Sequence, residues 1–238
     1  MNGAWRRNLG RILAVMGIGL WSSIAGAGGL ASGIHAELAT TTGWTVHDAD
    51  AGEGIRILSR PIPSLGLTAF RGELEVPVGV SSERLWSLIG GIEAHIRLSD
   101  NLAESRVFSR EGLRLEYYQV LKPPPLLAGS TRFWVNHSAE TRAINGNPNH
   151  HRRCWSNLPV GEATAIRADI QQRFPGAIEV PLTHGCWEIE RDANGKTWLR
   201  YTTVSDPGGS VPPSLAKYLS ARTLPENMLT FVRAARGG

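Results

Sequence analysis

The segment VSDPGGSVPPSLAKYL, residues 204–219, constrains the fold more than any other part of the chain. A stretch rich in Thr and Val enters it, and an apolar stripe at helical spacing, Leu215, Tyr218 and Leu219, leaves it. Between them lie Asp206-Pro207-Gly208-Gly209 and Val211-Pro212-Pro213. Proline lacks the N–H that a helix interior or a strand ladder needs, and paired glycines favour a turn. A strand must therefore end and a final helix begin within a few residues. Pro225 is expected to interrupt that helix, with Thr223 and Glu226 offering a fresh N-cap. Met228, Leu229, Phe231 and Val232 continue its apolar side.

What precedes this helix reads mostly as strand. Gly54–Arg60 and Leu67–Val76 are β-like and are separated by Pro61-Ile62-Pro63-Ser64. A helix follows, with Ser81 as N-cap and Leu85, Trp86, Leu88 and Ile89 on its apolar side. It stops at Gly90-Gly91, and a short turn covers Ile92–Leu98. Strands resume at Ala103–Ser109 and Leu113–Leu121, joined by a hairpin turn at Arg110-Glu111-Gly112. Leu113, Leu115, Tyr117, Gln119 and Leu121 alternate with more polar partners, as a half-buried strand requires. Thr131–Glu140 and His150–Asn157 flank the turn Asn145-Gly146-Asn147-Pro148, and Thr183–Arg191 and Thr197–Ser205 flank Ala193-Asn194-Gly195. The class is α+β: two strands, a helical interlude, an antiparallel meander and one last helix. An apolar sheet face needs cover, and a single long helix supplies it only if the sheet curves around that helix.

The N-terminus shows basic residues, Arg6, Arg7 and Arg11, then an apolar run from Ile12 to Ile24, then Ala25-Gly26-Ala27. That order describes a secretory signal peptide over residues 1–27. Arg6-Arg7 suggests twin-arginine export as well as the general route, and Ile34-His35-Ala36 offers a second cut. The alternative is an uncleaved anchor running to Ala31. Residues 28–43 read as a linker, and 44–238 as one domain. The whole chain carries 25 basic and 21 acidic residues. Without the leader it carries 22 and 21, a net +1, which is no footprint for nucleic acid. In an exported protein the two cysteines, Cys154 and Cys186, are a disulfide candidate, the alternative being two unpaired thiols. If Trp155 and Trp187 both face inward, alternation sends both cysteines outward together, and the segment Val160–Leu182 loops out between their strands.

The stretches LSDNLAESRVF, LEYYQVLKPPPLLAGSTRFWV, HGCWEI and VSDPGGSVPPSLAKYL, in this order, resemble the StAR-related lipid-transfer (START) domain from about Trp44 to Arg236. The chain departs from the family pattern at Leu98-Ser99-Asp100 and at Arg132-Phe133-Trp134. The resemblance implies a helix-grip fold, in which a curved antiparallel sheet grips a long C-terminal helix and encloses a hydrophobic cavity. It implies binding of a lipid or other apolar molecule, transient contact with a membrane, no cofactor and a monomer. It also places Glu104 and Arg132 as a buried pair inside the cavity. Alternation then adds Phe108 beside Glu104, and Trp134 and Asn136 beside Arg132. Leu115, Tyr117, Leu215, Leu219 and Met228 complete the expected lining. Leu126 and Leu127, after Lys122-Pro123-Pro124-Pro125, either touch a membrane, gate the cavity or fold back on the core.

Catalytic signatures are sparse. His137, His150, His151 and His184 share no metal-ligand spacing, and no Ser sits in a nucleophile elbow. The same fold hosts cyclases and hydrolases, so the rival readings are a cavity enzyme using Tyr117, Glu104 or His137, and a ligand sensor without transfer. The expected location is periplasmic or secreted.

Overall fold

The computed structural model describes residues 26–122 and 131–237. Ten strands form one sheet: β1 (Thr45–Asp48), β2 (Arg56–Ile62), β3 (Leu67–Glu75), β4 (Leu102–Glu111), β5 (Arg114–Leu121), β6 (Arg132–Thr141), β7 (His150–Asn157), β8 (Ile178–Glu179), β9 (Leu182–Arg191) and β10 (Thr197–Asp206). Their spatial order is β1-β2-β3-β10-β9-β7-β6-β5-β4, antiparallel throughout, with β8 added in parallel to β6. The order follows from two meanders, β1–β3 and β4–β7, which the β9–β10 hairpin joins.

Helices cover both faces. α2 (Ser82–Gly90) starts where the sequence places it, the Ser81 hydroxyl accepting from the Arg84 N–H at 3.2 Å. It ends at Gly91, and a 3-10 turn runs over Ile92–Arg97. α4 (Pro213–Arg236) lies with α2 on the inner face. There Leu224, Met228, Phe231 and Val232 pack with Phe70, Leu74, Leu85, Ile89, Trp187 and Leu199 in the main core. At Gly72 on β3 the sheet and helix approach closely, since a Cβ there would overlap Leu224 and Met228.

Three readings of the sequence need correction. Pro225 does not divide the last helix, which is continuous from Pro213 to Arg236. Thr223 is no cap: its hydroxyl donates to the Leu219 carbonyl at 2.9 Å within the same helix. Packing of Leu224 and Met228 on either side of Pro225 holds the turn in place. Residues 28–43 are not a linker, because α1 (Gly26–Ala39) packs Ile34 and Leu38 on Ile62, Ala69 and Val204 of the outer face. Its last carbonyls are received by distant guanidinium groups, Glu37 O by Arg60 at 2.9 Å and Leu38 O by Arg71. The segment 160–182 does more than loop out. It holds α3 (Thr164–Arg173) and β8, and Ile170 seals Tyr118, Val120, Phe133 and Val135 on the outer face of β5 and β6.

Candidate functional site

The inner cavity lies between α4, the 3-10 turn and the sheet, and has a volume of about 380 Å³. That is within the range of about 300–1,000 Å³ that small-molecule sites occupy. Its aromatic wall is an ordered stack. Tyr201 lies parallel to Trp187 at 4.1 Å and to Trp155 at 5.8 Å, and Phe231 of α4 meets Trp187 edge-on at 5.3 Å. Trp134, Leu98, Leu102, Leu121 and Leu224 add apolar surface. α4 also presents polar residues to the cavity: Ser220, Thr223, Asn227 and Thr230.

One end of the cavity holds a closed polar network. Trp134 donates from Nε1 to Gln119 Oε1 at 3.1 Å, and Gln119 Nε2 donates to Ser105 Oγ at 2.9 Å and to His95 Nδ1 at 3.2 Å. His95 Nε2 in turn meets the carbonyls of Ile89 and Leu88 at 3.1 and 3.2 Å. Burial pushes His95 down to about 4, the two carbonyls oppose this and the Arg153 charge adds to it. The ring is thus neutral at pH 7, with its proton on Nε2. Tyr117 is buried and Tyr201 partly buried, and desolvation raises both hydroxyls, Tyr201 to about 12.

Arg153 lies deeper. Its Nη2 donates to Glu140 Oε2, and Glu140 Oε1 accepts from Trp86 Nε1 at 3.1 Å and from Arg142 Nε at 2.5 Å. Burial raises the Glu140 carboxyl, but the bonds from Trp86 and Arg142 and the Arg153 charge outweigh it and bring it below the usual carboxylate range. Burial likewise lowers the Arg153 guanidinium, with Glu140 opposing.

The expected pairing of Glu104 with Arg132 is overturned. Leu102 pairs with Leu121 but Glu104 with Val120, so the strand bulges at Ala103. A bulge sets two residues against one and reverses the faces beyond it. Glu104 therefore points outward, to Arg173 of α3 and to the Tyr118 hydroxyl at 3.0 Å. Phe108 joins the same outer cluster. Arg132 donates from Nε to the Pro207 carbonyl at 3.0 Å, next to the turn that launches α4.

Of the other expected residues, Tyr117 and Trp134 line the cavity. Leu115 packs with Tyr117 and Trp134 just behind it, and Asn136 donates to the Tyr117 hydroxyl at 3.4 Å. Met228 is buried in the main core, and Leu215 and Leu219 are half-buried on the early turns of α4, away from the lining. Leu126 and Leu127 lie outside the described residues. The trio Tyr117, Glu104 and His137 is not brought together: His137 is on the outer face, where it meets Ser156 Oγ at 2.8 Å. Sequence reasoning missed Gln119, Ser138 and Arg153. Gln119 and Ser138 share the parity of Tyr117 and Trp134, a signal that was present; Arg153 shares that of Trp155.

Cys154 and Cys186 form the disulfide, directly opposite in the β7–β9 register with Cα atoms 4.0 Å apart. Trp155 and Trp187 both line the cavity, as the alternation argument requires. The outer face beside the disulfide carries a charge ladder. Arg152 and Arg200 hold Glu188 at 2.7 and 3.2 Å, and Arg200 holds Glu190 at 2.7 Å. His150, Glu188 and Glu190 stand within 4.8 Å of one another, but both carboxylates are already engaged by guanidinium groups.

No family model matches the chain, and no curated protein does either. Solved structures do match. Human STARD10 superposes with a TM-score of 0.66 at 14% identity, covering 86% of this chain and 78% of that one. Human StAR-related lipid transfer protein 5 gives 0.64 at 16%, covering 88% and 92%. A StAR-related lipid transfer protein from Xanthomonas axonopodis gives 0.61 at 21%, covering 82% and 97%. Together with the ten-stranded sheet and the long last helix, these matches show that the chain has the α+β helix-grip fold of the StAR-related lipid-transfer (START) domains.

Proposed function

We propose that the protein binds an apolar small molecule or lipid in the inner cavity and carries it through water to or from a membrane. One observation carries this reading: an aromatic-walled cavity lies between sheet and α4 with a single charged side chain on its described wall. Burial of apolar ligand surface, at about 25 cal/mol per Å², supplies the driving force. Relatives named for lipid transfer share the fold and support the reading by analogy. Movement of α4 opens the cavity. The turn ahead of it supports this, since Gly208 and Gly209 both adopt positive φ, at 68° and 67°.

The disulfide supports an oxidising compartment, hence a periplasmic or secreted protein. Packing of Ile34 and Leu38 supports cleavage before Gly28 over a cut after Ala36, which would remove half of the contact that docks α1. The protein acts as a monomer that touches membranes transiently. Among the described residues no helix is long and apolar enough to cross a membrane.

Native mass spectrometry of protein purified from its producing cells, with organic extraction of the bound species, tests the reading. A stoichiometric apolar ligand that moves between vesicle populations is the expected result. Retention without transfer would indicate a sensor, and turnover without retention an enzyme.

A further inference from the structure

Arg153 is the one charged side chain on the described cavity wall, and it is 8% exposed. Only its Nη2 is engaged, by Glu140; Nε and Nη1 are buried with no acceptor in the protein. Ser138 Oγ, on the same wall, is also buried without a partner. The two belong together by register, because Ser138 faces Trp155 across β6 and β7 while Glu140 faces Arg153 one inward step away. Buried donors left without acceptors are costly, so these groups are poised for whatever occupies the cavity.

Charge says what that is. Glu140 is the buried partner of Arg153, and it also accepts from Arg142, whose own side chain is 59% exposed. His95, the nearby base, is neutral at pH 7. Arg153 thus keeps two buried donors, Nε and Nη1, without an acceptor beside an apolar space, where donors on a cation favour an anionic acceptor. Because Glu140 already answers part of the Arg153 charge, the remaining donors suit a monoanion rather than a phosphate dianion.

Resting on the proposed reading of the cavity, we propose that its ligand is an apolar carboxylic acid, bound as carboxylate by Arg153 and Ser138 with its body against Trp155, Trp187, Tyr201 and Phe231. The phenol of Tyr117 borders the same space.

The test uses two probes that differ only at the polar end, 1-pyrenebutyric acid and 1-pyrenebutanol, titrated at pH 7.5 and followed by quenching of tryptophan fluorescence. Wild-type protein should bind the acid about tenfold or more tighter than the alcohol, the scale of a hydrogen bond to a charged group. In Arg153→Met combined with Glu140→Gln, which removes both buried charges and so spares folding, the preference should fall to within about twofold. Alcohol binding should persist there. Ser138→Ala, a small change, should weaken acid binding alone. Equal binding of both probes by wild type, or a preference that survives the double variant, overturns the carboxylate assignment and leaves the cavity reading intact. Binding of neither probe overturns the cavity reading itself.

Discussion

Single positions decide how the sheet meets α4 and which face each side chain takes. Gly72 is required by close approach, since any Cβ would meet Leu224 and Met228. Gly72→Ala should cost about 1–3 kcal/mol by overpacking, read as a lowered melting temperature; an unchanged melt would mean that α4 shifts freely. Alternation in the sequence read faces well where strands are regular, as at Trp155, Trp187 and the two cysteines. The inward Glu104 that the family resemblance implied fails because one extra residue at Ala103 reverses parity, and nothing in the local sequence marks the bulge. The adjacent pair Arg152-Arg153 reads from sequence as a solvated strand face, because charged residues in strands usually are; Arg153 is instead buried, enclosed by the crowding of β6, β7 and α2. Buried histidines add a pH dependence. His95 and His184 are both pushed to about 4, chiefly by burial, below their ordinary 6.5. Their neutral forms therefore favour the fold above pH 6.5, and that stabilisation drains away as the pH falls toward 4. The loss should reach roughly 2 kcal/mol per histidine by pH 5. Urea midpoints at pH 7 and pH 5 measure it, and His184→Leu should flatten the slope.

Elements were legible where a cap or a turn announced them. Ser81 and Gly91 bound α2 as read, and the strands of the meander fall within a residue or two of their expected limits. α1 and α3 were invisible for a physical reason. α1 is rich in small residues and takes its stability from Arg60 and Arg71, which lie far along the chain. α3 is polar apart from Ile166 and Ile170, and gains order by covering Tyr118 and Phe133. Both helices exist because the sheet does. Leu38, 1% exposed, is the anchor of α1. Leu38→Ala should cost about 2–4 kcal/mol, seen in thermal melts together with new proteolytic cleavage before Thr45. A silent substitution would mean that α1 contributes nothing to the domain.

At the scale of the molecule, the order of elements was enough to imply a sheet gripping a terminal helix, because few other arrangements bury such a helix. Ligand chemistry was not legible, since it depends on which polar atoms end up unmatched after packing. The disulfide belongs to this scale too. It closes a segment of 31 residues between β7 and β9, and chain-entropy arithmetic puts its stabilisation at about 3–4 kcal/mol. Unfolded, unreduced protein should show no free thiol, and reduction should lower the urea midpoint accordingly. The bond also has a mechanical meaning. It spans the seam where the β4–β7 meander meets the β9–β10 hairpin, directly behind Trp155 and Trp187. Riveted there, the two halves of the sheet cannot unzip along β7 and β9 when the molecule breathes. Expansion is diverted to the opposite wall, so on the proposed carrier reading a ligand would pass by α4 while the tryptophan floor stays still.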